Sequence, residues 1–284
     1  MTRSIKLAAL SVSALALTAG TLAAATLEEI REAGTIRIAV ANEIPYGYVD
    51  PNGDALGVGP DVAKAIMAEL GIENIEWVTT GFSSLIPGLK ANRFDMVAAE
   101  MAILPDRCNE VLFSEPNTSY GEGLLVAAGN PSGITSYADF AEKPDLKVAI
   151  MAGADQLEMM QELGVDESNL VMISANADAI SVVSTGRADA YAATSLTAGG
   201  LASSSDRVEV ATGFVDPVIG GEEVRSWGGF TFSRGSEDLR DAVNGALADF
   251  KGTPEWQEIL TGYGFAESDV TGSLTRTTSD LCGA

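Results

Sequence analysis

The order of segments constrains this chain more than any other feature: a strand-helix-strand-helix-strand alternation is run through once and then repeated. Residues 35–41 alternate and then turn apolar, as a strand entering a sheet does, and Asp50-Pro-Asn-Gly53 follows as a hairpin-turn signal. Residues 60–70 carry apolar side chains at helical spacing (Val62, Ala63, Ile66, Met67, Leu70), with Pro60 near the start and Gly71 just past the end. Residues 73–79 read as strand, 83–90 as a short helix and 94–99 as a buried strand. The second set reads strand 147–150, helix 155–163, strand 170–173, helix 177–184 and strand 188–192. Such alternation implies parallel sheets flanked by helices. Two further strand-like stretches with nearby glycines, 124–130 and 229–234, are expected to cross between lobes, and the helical segments 236–251 and 254–263 to return to the first. The expected architecture is therefore α/β and two-lobed, each lobe a mainly parallel sheet, joined by two hinge strands. Lobe 1 comprises 26–127 and 230–284, and lobe 2 comprises 128–229.

Composition removes several functions. The 284 residues include no histidine, so the usual general base, the serine triad, the Cys-His pair and His-ligated zinc are ruled out. A formal charge of −23, from 17 basic and 40 acidic residues, repels a polyphosphate backbone, and the basic residues form no patch; no nucleic-acid partner is expected. Neither a metal nor a cofactor is implied, and no Walker-type glycine loop is present.

Arg3 and Lys6 precede an apolar run over 7–17, and Ala23-Ala24-Ala25 offers a small-residue cleavage site. Residues 1–25 therefore read as a cleaved signal peptide, the run being far short of the ~20 residues that span a bilayer. No cysteine follows the run, so a soluble extracytoplasmic protein without a lipid anchor is expected, located in the periplasm. In that oxidising compartment Cys108 and Cys282 read as one disulfide, tying the C-terminal tail to the first half of the chain.

From about residue 27 to 282 the chain resembles the extracytoplasmic solute-binding proteins of bacterial ABC importers, in the polar-amino-acid group, solute-binding protein family 3. The likeness rests on Gly57-Val-Gly-Pro-Asp-Val-Ala-Lys64, Leu85-Ile-Pro-Gly-Leu-Lys-Ala-Asn-Arg-Phe-Asp-Met96, Leu104-Pro-Asp-Arg107, Phe113-Ser-Glu-Pro116, Gly186-Arg-Ala-Asp-Ala190 and Leu239-Arg-Asp-Ala-Val-Asn244, in the family's order. Within the group it is most similar to the ectoine- and hydroxyectoine-binding members, through Ala41-Asn-Glu43, Pro45, Tyr46, the run Pro105-Asp-Arg-Cys108 and the terminal Thr277-Thr278 with Leu281-Cys282. The resemblance implies the type II periplasmic-binding-protein fold. It also implies a monomer that closes on a small solute and delivers it to a membrane permease, and no enzyme.

The resemblance also assigns residues. Arg107 is expected to grip a ligand carboxylate with a bidentate fork, and Glu43 to neutralise the cationic part of a zwitterion. Tyr46 and Phe82 would pack rings on that cation. Met101 and Gly153 belong to segments that approach the ligand. Four positions depart from the family pattern. Glu100 either adds a negative charge to the pocket or points to solvent; Ala102 replaces a ring or hydroxyl. Asp155 occupies a strand-to-helix turn where the family has a hydroxyl, and is expected to cap the helix rather than bind. Thr194 replaces an aspartate, which makes a standard α-amino acid a poorer candidate. Trp227 is expected to pack near the second crossing. An ectoine-like compatible solute is thus favoured over a polar amino acid. The competing expectation is a dehydratase-like enzyme on the same frame with Glu43 and Glu100 as an acid/base pair.

Overall fold

A computed structural model of the chain describes residues 24–283. The expected signal peptide lies outside the described residues except for its last two positions. No helix among the described residues is long and apolar enough to cross a membrane.

The lobe 1 sheet runs in the order Asn74–Thr79, Thr35–Val40, Met96–Ala102, Ser226–Phe232, Leu112–Phe113, with Thr118–Tyr120 also paired to Ser226–Phe232. The first three strands are parallel, and Ser226–Phe232 joins them antiparallel. All seven residues of Met96–Ala102 are buried, which is why that segment, Glu100 apart, reads as an apolar run instead of alternating. The helix Val58–Glu69 lays Val58, Val62, Ile66 and Met67 on the sheet. It begins two residues before Pro60, which sits in the first turn, where an amide hydrogen has no intrahelical acceptor to miss. Gly57 precedes it at φ 119°, and a Cβ there would lie 2.8 Å from the Pro45 carbonyl. Only glycine lets the 43–47 loop pack this closely on the helix N-terminus.

The lobe 2 sheet runs Leu170–Ile173, Val148–Met151, Ala190–Thr194, Glu122–Ala127, Val208–Val210. The first three strands are parallel, and Glu122–Ala127 is antiparallel to both of its neighbours.

The strands expected to bridge the lobes belong to the sheets themselves. Glu122–Ala127 lies wholly in the lobe 2 sheet and Ser226–Phe232 wholly in the lobe 1 sheet. The chain changes sheet at Gly121, between Tyr120 and Glu122. It returns after the short hairpin Val218–Ile219/Glu222–Glu223, just before Ser226. The boundaries drawn at 127/128 and 229/230 therefore shift to about residues 121 and 225. The reason is hydrogen-bonding demand: residues 122–126 are all buried, and buried backbone at those positions needs ladder partners that a free connector lacks.

The C-terminal helices Glu237–Phe250 and Pro254–Gly262 pack Leu239, Val243, Leu247, Trp256 and Leu260 onto lobe 1, as expected. Cys108, on the helix Pro105–Glu110, is bonded to Cys282, at the end of Thr278–Cys282, across 174 residues. On the chain-entropy account a loop of that length contributes about 5 kcal/mol.

Candidate functional site

Glu43 and Gly47 exchange both backbone hydrogen bonds, at 3.0 and 2.9 Å, so the chain leaving Thr35–Val40 doubles back within five residues. That tight loop brings Glu43 and Tyr46 to the C-terminal edge of the parallel strands, where ligand sites of open α/β sheets form. Glu100 arrives from the central strand by a backbone irregularity, φ 48°. Gly228 makes room for it, since a Cβ there would lie 2.7 Å from the Glu100 carbonyl oxygen. Lobe 2 contributes the turn before the helix Gln156–Glu162 and the end of Ala190–Thr194.

Between the lobes lies a small cavity. Lobe 1 lines it with Glu43, Tyr46, Phe82, Glu100, Ala102 and Tyr120, and lobe 2 with Met151, Asp155, Gln156, Tyr191 and Thr194. Six of the expected residues thus meet there: Glu43, Tyr46, Phe82, Glu100, Asp155 and Thr194. Arg107, Met101 and Gly153 are not on its wall.

Arg107 is nonetheless next to it. Its Nη1 donates to the Ala102 carbonyl at 3.0 Å and its Nη2 to the Gly153 carbonyl at 2.9 Å, and its guanidinium lies 5.7 Å from the centre of the Phe82 ring. Ala102 is in lobe 1 and Gly153 in lobe 2, so the arginine ties the lobes together, with three of its five N–H donors left over. Gly153 serves through its carbonyl, and its missing Cβ lets lobe 2 approach Ser83, 3.0 Å from where that atom would be. Met101 is buried in the apolar core.

Two more contacts hold the lobes closed. Thr197 donates its hydroxyl to Glu43 Oε1 at 2.9 Å, and Ser226 donates to Asp155 Oδ2 at 3.2 Å. The second corrects the expected capping role of Asp155: it stands at the N-cap position, but with helical φ −67° and ψ −20° its side chain makes no cap bond and turns to lobe 1 instead. Thr194 does cap a helix, accepting from the Thr197 amide at 3.2 Å at the start of Ser195–Ser203. Trp227 donates to the Gly272 carbonyl at 3.0 Å under the Arg276 side chain, away from the cavity.

Glu100 does not reach solvent. Its carboxylate accepts from Asn117 Nδ2 at 2.9 Å and from the Thr118 hydroxyl at 2.8 Å, while its backbone oxygen accepts from the Tyr120 hydroxyl at 2.9 Å. Burial pushes its pKa up to about 7, against those two donors and the Lys251 charge. Burial likewise pushes Glu43 up to about 7, against hydrogen bonds from Thr197 and Asn176.

Sequence reading missed Glu122. It is 3% exposed, and its Oε2 accepts from Gln156 Nε2 at 2.7 Å and from the Tyr137 hydroxyl at 3.1 Å. Its Oε1 is buried with no hydrogen-bond partner. Burial first, then the nearby Asp155 charge, holds its pKa well above the usual carboxylate range. The available signal was an acid alone in an apolar strand, Glu122-Gly-Leu-Leu-Val126, the same signal that Glu100 gives in Met96–Ala102. Tyr120 and Tyr191 were missed too, being rings in strands with nothing local to set them apart from core. Tyr46 meets Tyr120 edge-on at 5.1 Å between ring centres, and its hydroxyl finds no partner of good hydrogen-bond geometry. Among the described residues no group of three or more acidic or cysteine side chains is arranged to hold a metal ion.

The sequence model of the bacterial extracellular solute-binding proteins, family 3, matches residues 36–266. The chain is 56% identical over 277 residues, 97% of its own length and 91% of the relative's, to a probable amino-acid ABC transporter periplasmic-binding protein, y4tE, of Sinorhizobium fredii (strain NBRC 101917 / NGR234). Among solved structures it is similar to EhuB in complex with hydroxyectoine, with TM-score 0.82 and 33% identity, covering 91% of this chain and 98% of that one. It is also similar to the ancestral amino acid-binding protein AncCDT-1, a precursor of cyclohexadienyl dehydratase, with TM-score 0.72 and 30% identity, covering 84% and 98%.

Proposed function

The chain belongs to the bacterial extracellular solute-binding proteins of family 3 and has their type II periplasmic-binding fold, and we propose that it captures a small organic solute bearing a cationic group, closing its lobes on it. Family membership makes it the solute-binding component of an ABC import system of the amino-acid type. The observation that carries the choice of solute is Glu43, a carboxylate sealed between the lobes with the rings of Tyr46 and Phe82 on the same wall. A delocalised or methylated cation satisfies both at once, with ring contacts contributing ~0.5 to 2 kcal/mol each when desolvated. The likeness to a hydroxyectoine complex supports ectoine-like compatible solutes ahead of polar amino acids. Thr194 adds to that, because it offers a neutral, already engaged hydroxyl to any α-ammonium. A solute carboxylate would meet the uncommitted N–H groups of Arg107 at the cavity's edge. The protein acts as a monomer outside the cytoplasm, after removal of residues 1–25, and hands its cargo to the permease.

Titration calorimetry with ectoine, hydroxyectoine, glycine betaine and polar amino acids tests this, with scattering to follow closure. Glu43→Gln should weaken the bound solute at least about tenfold, the value of a hydrogen-bonded charge contact; undiminished affinity would remove the assignment. The competing chemistry, elimination by Glu43 and Glu100 as acid and base, would show as altered solute recovered from the complex.

A further inference from the structure

The chain passes between the two sheets at Gly121 and again just before Ser226, and the two crossings lie side by side, since Tyr120 pairs with Ser226 and Ser119 with Trp227. Lobe 2 grips its side of each crossing through backbone groups. The Gly121 carbonyl accepts from the Ser195 amide at 3.0 Å, Asp216 Oδ1 accepts from the Glu122 amide at 3.0 Å, and the Pro217 carbonyl accepts from the Val224 amide at 2.8 Å. On the lobe 1 side stands the short helix Glu267–Gly272. Arg225 Nη2 makes an ion pair with Asp269 Oδ1, while Arg225 Nε and Nη2 donate to Ser119 Oγ at 3.2 and 3.0 Å. The Ser119 hydroxyl in turn donates to the Asp269 carbonyl at 2.8 Å. The second oxygen of Asp269 accepts from the Ala266 amide at 2.9 Å, so one carboxylate joins the start of its own helix to the second crossing. At the far end of that helix the Gly272 carbonyl accepts from the Trp227 indole at 3.0 Å, and a Cβ on Gly272 would lie 2.5 Å from Ser119 Oγ. Ser119, Arg225 and Asp269 do not line the cavity.

Resting on the reading that the lobes close on a solute, we infer that Arg225 and Asp269 are positioning residues for capture: with Ser119 they hold both crossings to lobe 1 and confine the turning of lobe 2 to the peptides 120–121 and 224–225. A hinge absorbs its rotation in the few dihedrals that no contact fixes. Tyr120 is held in lobe 1 by its strand pairing and by its hydroxyl on the Glu100 carbonyl, and the Gly121 carbonyl is held in lobe 2, which leaves one peptide to turn. At the second crossing the Val224 amide is held in lobe 2 and the Arg225 side chain in lobe 1, which leaves one more. Two adjacent pivots define an axis, so the solute-free protein varies mainly in one angle and closure orders few further dihedrals. Without the ion pair Arg225 joins the turning stretch and the open ensemble widens. The fraction of molecules ready to close then falls by the same factor for every solute, because the loss lies in the hinge and not in the cleft.

The test makes Arg225→Met and Asp269→Asn, singly and together, in the mature chain. Small-angle X-ray scattering then reads each protein with and without solute, and calorimetry follows hydroxyectoine, glycine betaine and arginine as probes. Each single variant should raise the radius of gyration of the solute-free protein and leave that of the solute-bound protein at the parent's value. Each should also weaken every probe that the parent binds by one common factor of about 3 to 10. The double variant should go little further than either single one, because the two residues act as a pair. Arg225→Lys, which can keep one contact to Asp269, should fall between parent and Arg225→Met. If Asp269→Asn does not fold, the two Arg225 variants carry the test. A lower Tm with unchanged solute-free radius and unchanged affinities would make the ion pair a structural tie and overturn the hinge assignment, leaving solute capture standing. A loss confined to one of several bound probes would overturn it too. A parent that gives neither heat nor compaction with any probe counts against the capture reading, while the solute-free radius of the variants still decides the hinge assignment.

Discussion

Glu100→Gln isolates the cost of a buried acid. In the folded chain the Glu100 pKa is raised from 4.5 to about 7, with burial as the main cause. The folded state thus holds this proton more tightly than the unfolded state. Stability from the group is complete below about pH 4.5 and is lost as pH rises through 7. Above that, the ionised side chain costs the free-energy equivalent of the shift, up to about 3 kcal/mol. Glutamine removes the cost and keeps the contacts: Oε1 can accept from Asn117, and Nε2 can donate to Thr118, whose hydroxyl can accept as well as donate. The variant should therefore match the parent near pH 4.5 and exceed it at pH 8 by about 1 to 3 kcal/mol, a rise of roughly 3 to 10 °C in Tm for a chain of this size. Scanning calorimetry of both proteins without solute, from pH 4.5 to 8.5, reads the difference directly. A gap that stays constant across that range would show that Glu100 does not titrate as a buried acid.

Arg107→Ala removes donors to the Ala102 and Gly153 carbonyls on opposite lobes. It should weaken carboxylate-bearing solutes by tenfold to a hundredfold and increase the radius of gyration of the solute-bound protein in X-ray scattering, with far-ultraviolet circular dichroism unchanged. Replacing both Cys108 and Cys282 by serine should cost about 3 to 5 kcal/mol, lowering Tm by roughly 10 °C. Calorimetric affinity should change far less, because neither sulfur lines the cavity.

Local patterns in the chain were sufficient wherever an element is decided locally. Residues 177–184 read as a helix and form Ala177–Ser184, with Ala179, Val182 and Val183 buried along one face. Asp50-Pro-Asn-Gly53 read as a turn and joins the paired strands Tyr48–Val49 and Ala55–Leu56. The motif-bearing segments also brought Glu43, Tyr46, Phe82 and Glu100 to one wall. Features decided by distant partners were not legible. The helix Ser195–Ser203 carries small residues and two glycines, so no apolar stripe announces it. The direction of the Asp155 side chain depends on Ser226, 71 residues away, and the engagement of Arg107 depends on Gly153, 46 residues away. The sheet to which 122–127 and 226–232 belong is fixed by pairings that neither stretch contains. Glu122 is informative only once Asp155, Gln156 and Tyr137 are known to surround it.

The placement of Ser226–Phe232 next to Met96–Ala102, inside the lobe 1 sheet, has a consequence for the order of events as the chain is made. All the strands of the lobe 2 sheet emerge as one unbroken run, and that half can mature early. The other half, begun first, must wait with a gap in its middle for a strand made more than a hundred residues later, and then for the tail that carries Cys282. A chain stopped short near residue 220 would leave a finished half attached to an unfinished one with an open edge, prey for proteases and for pairing with other chains.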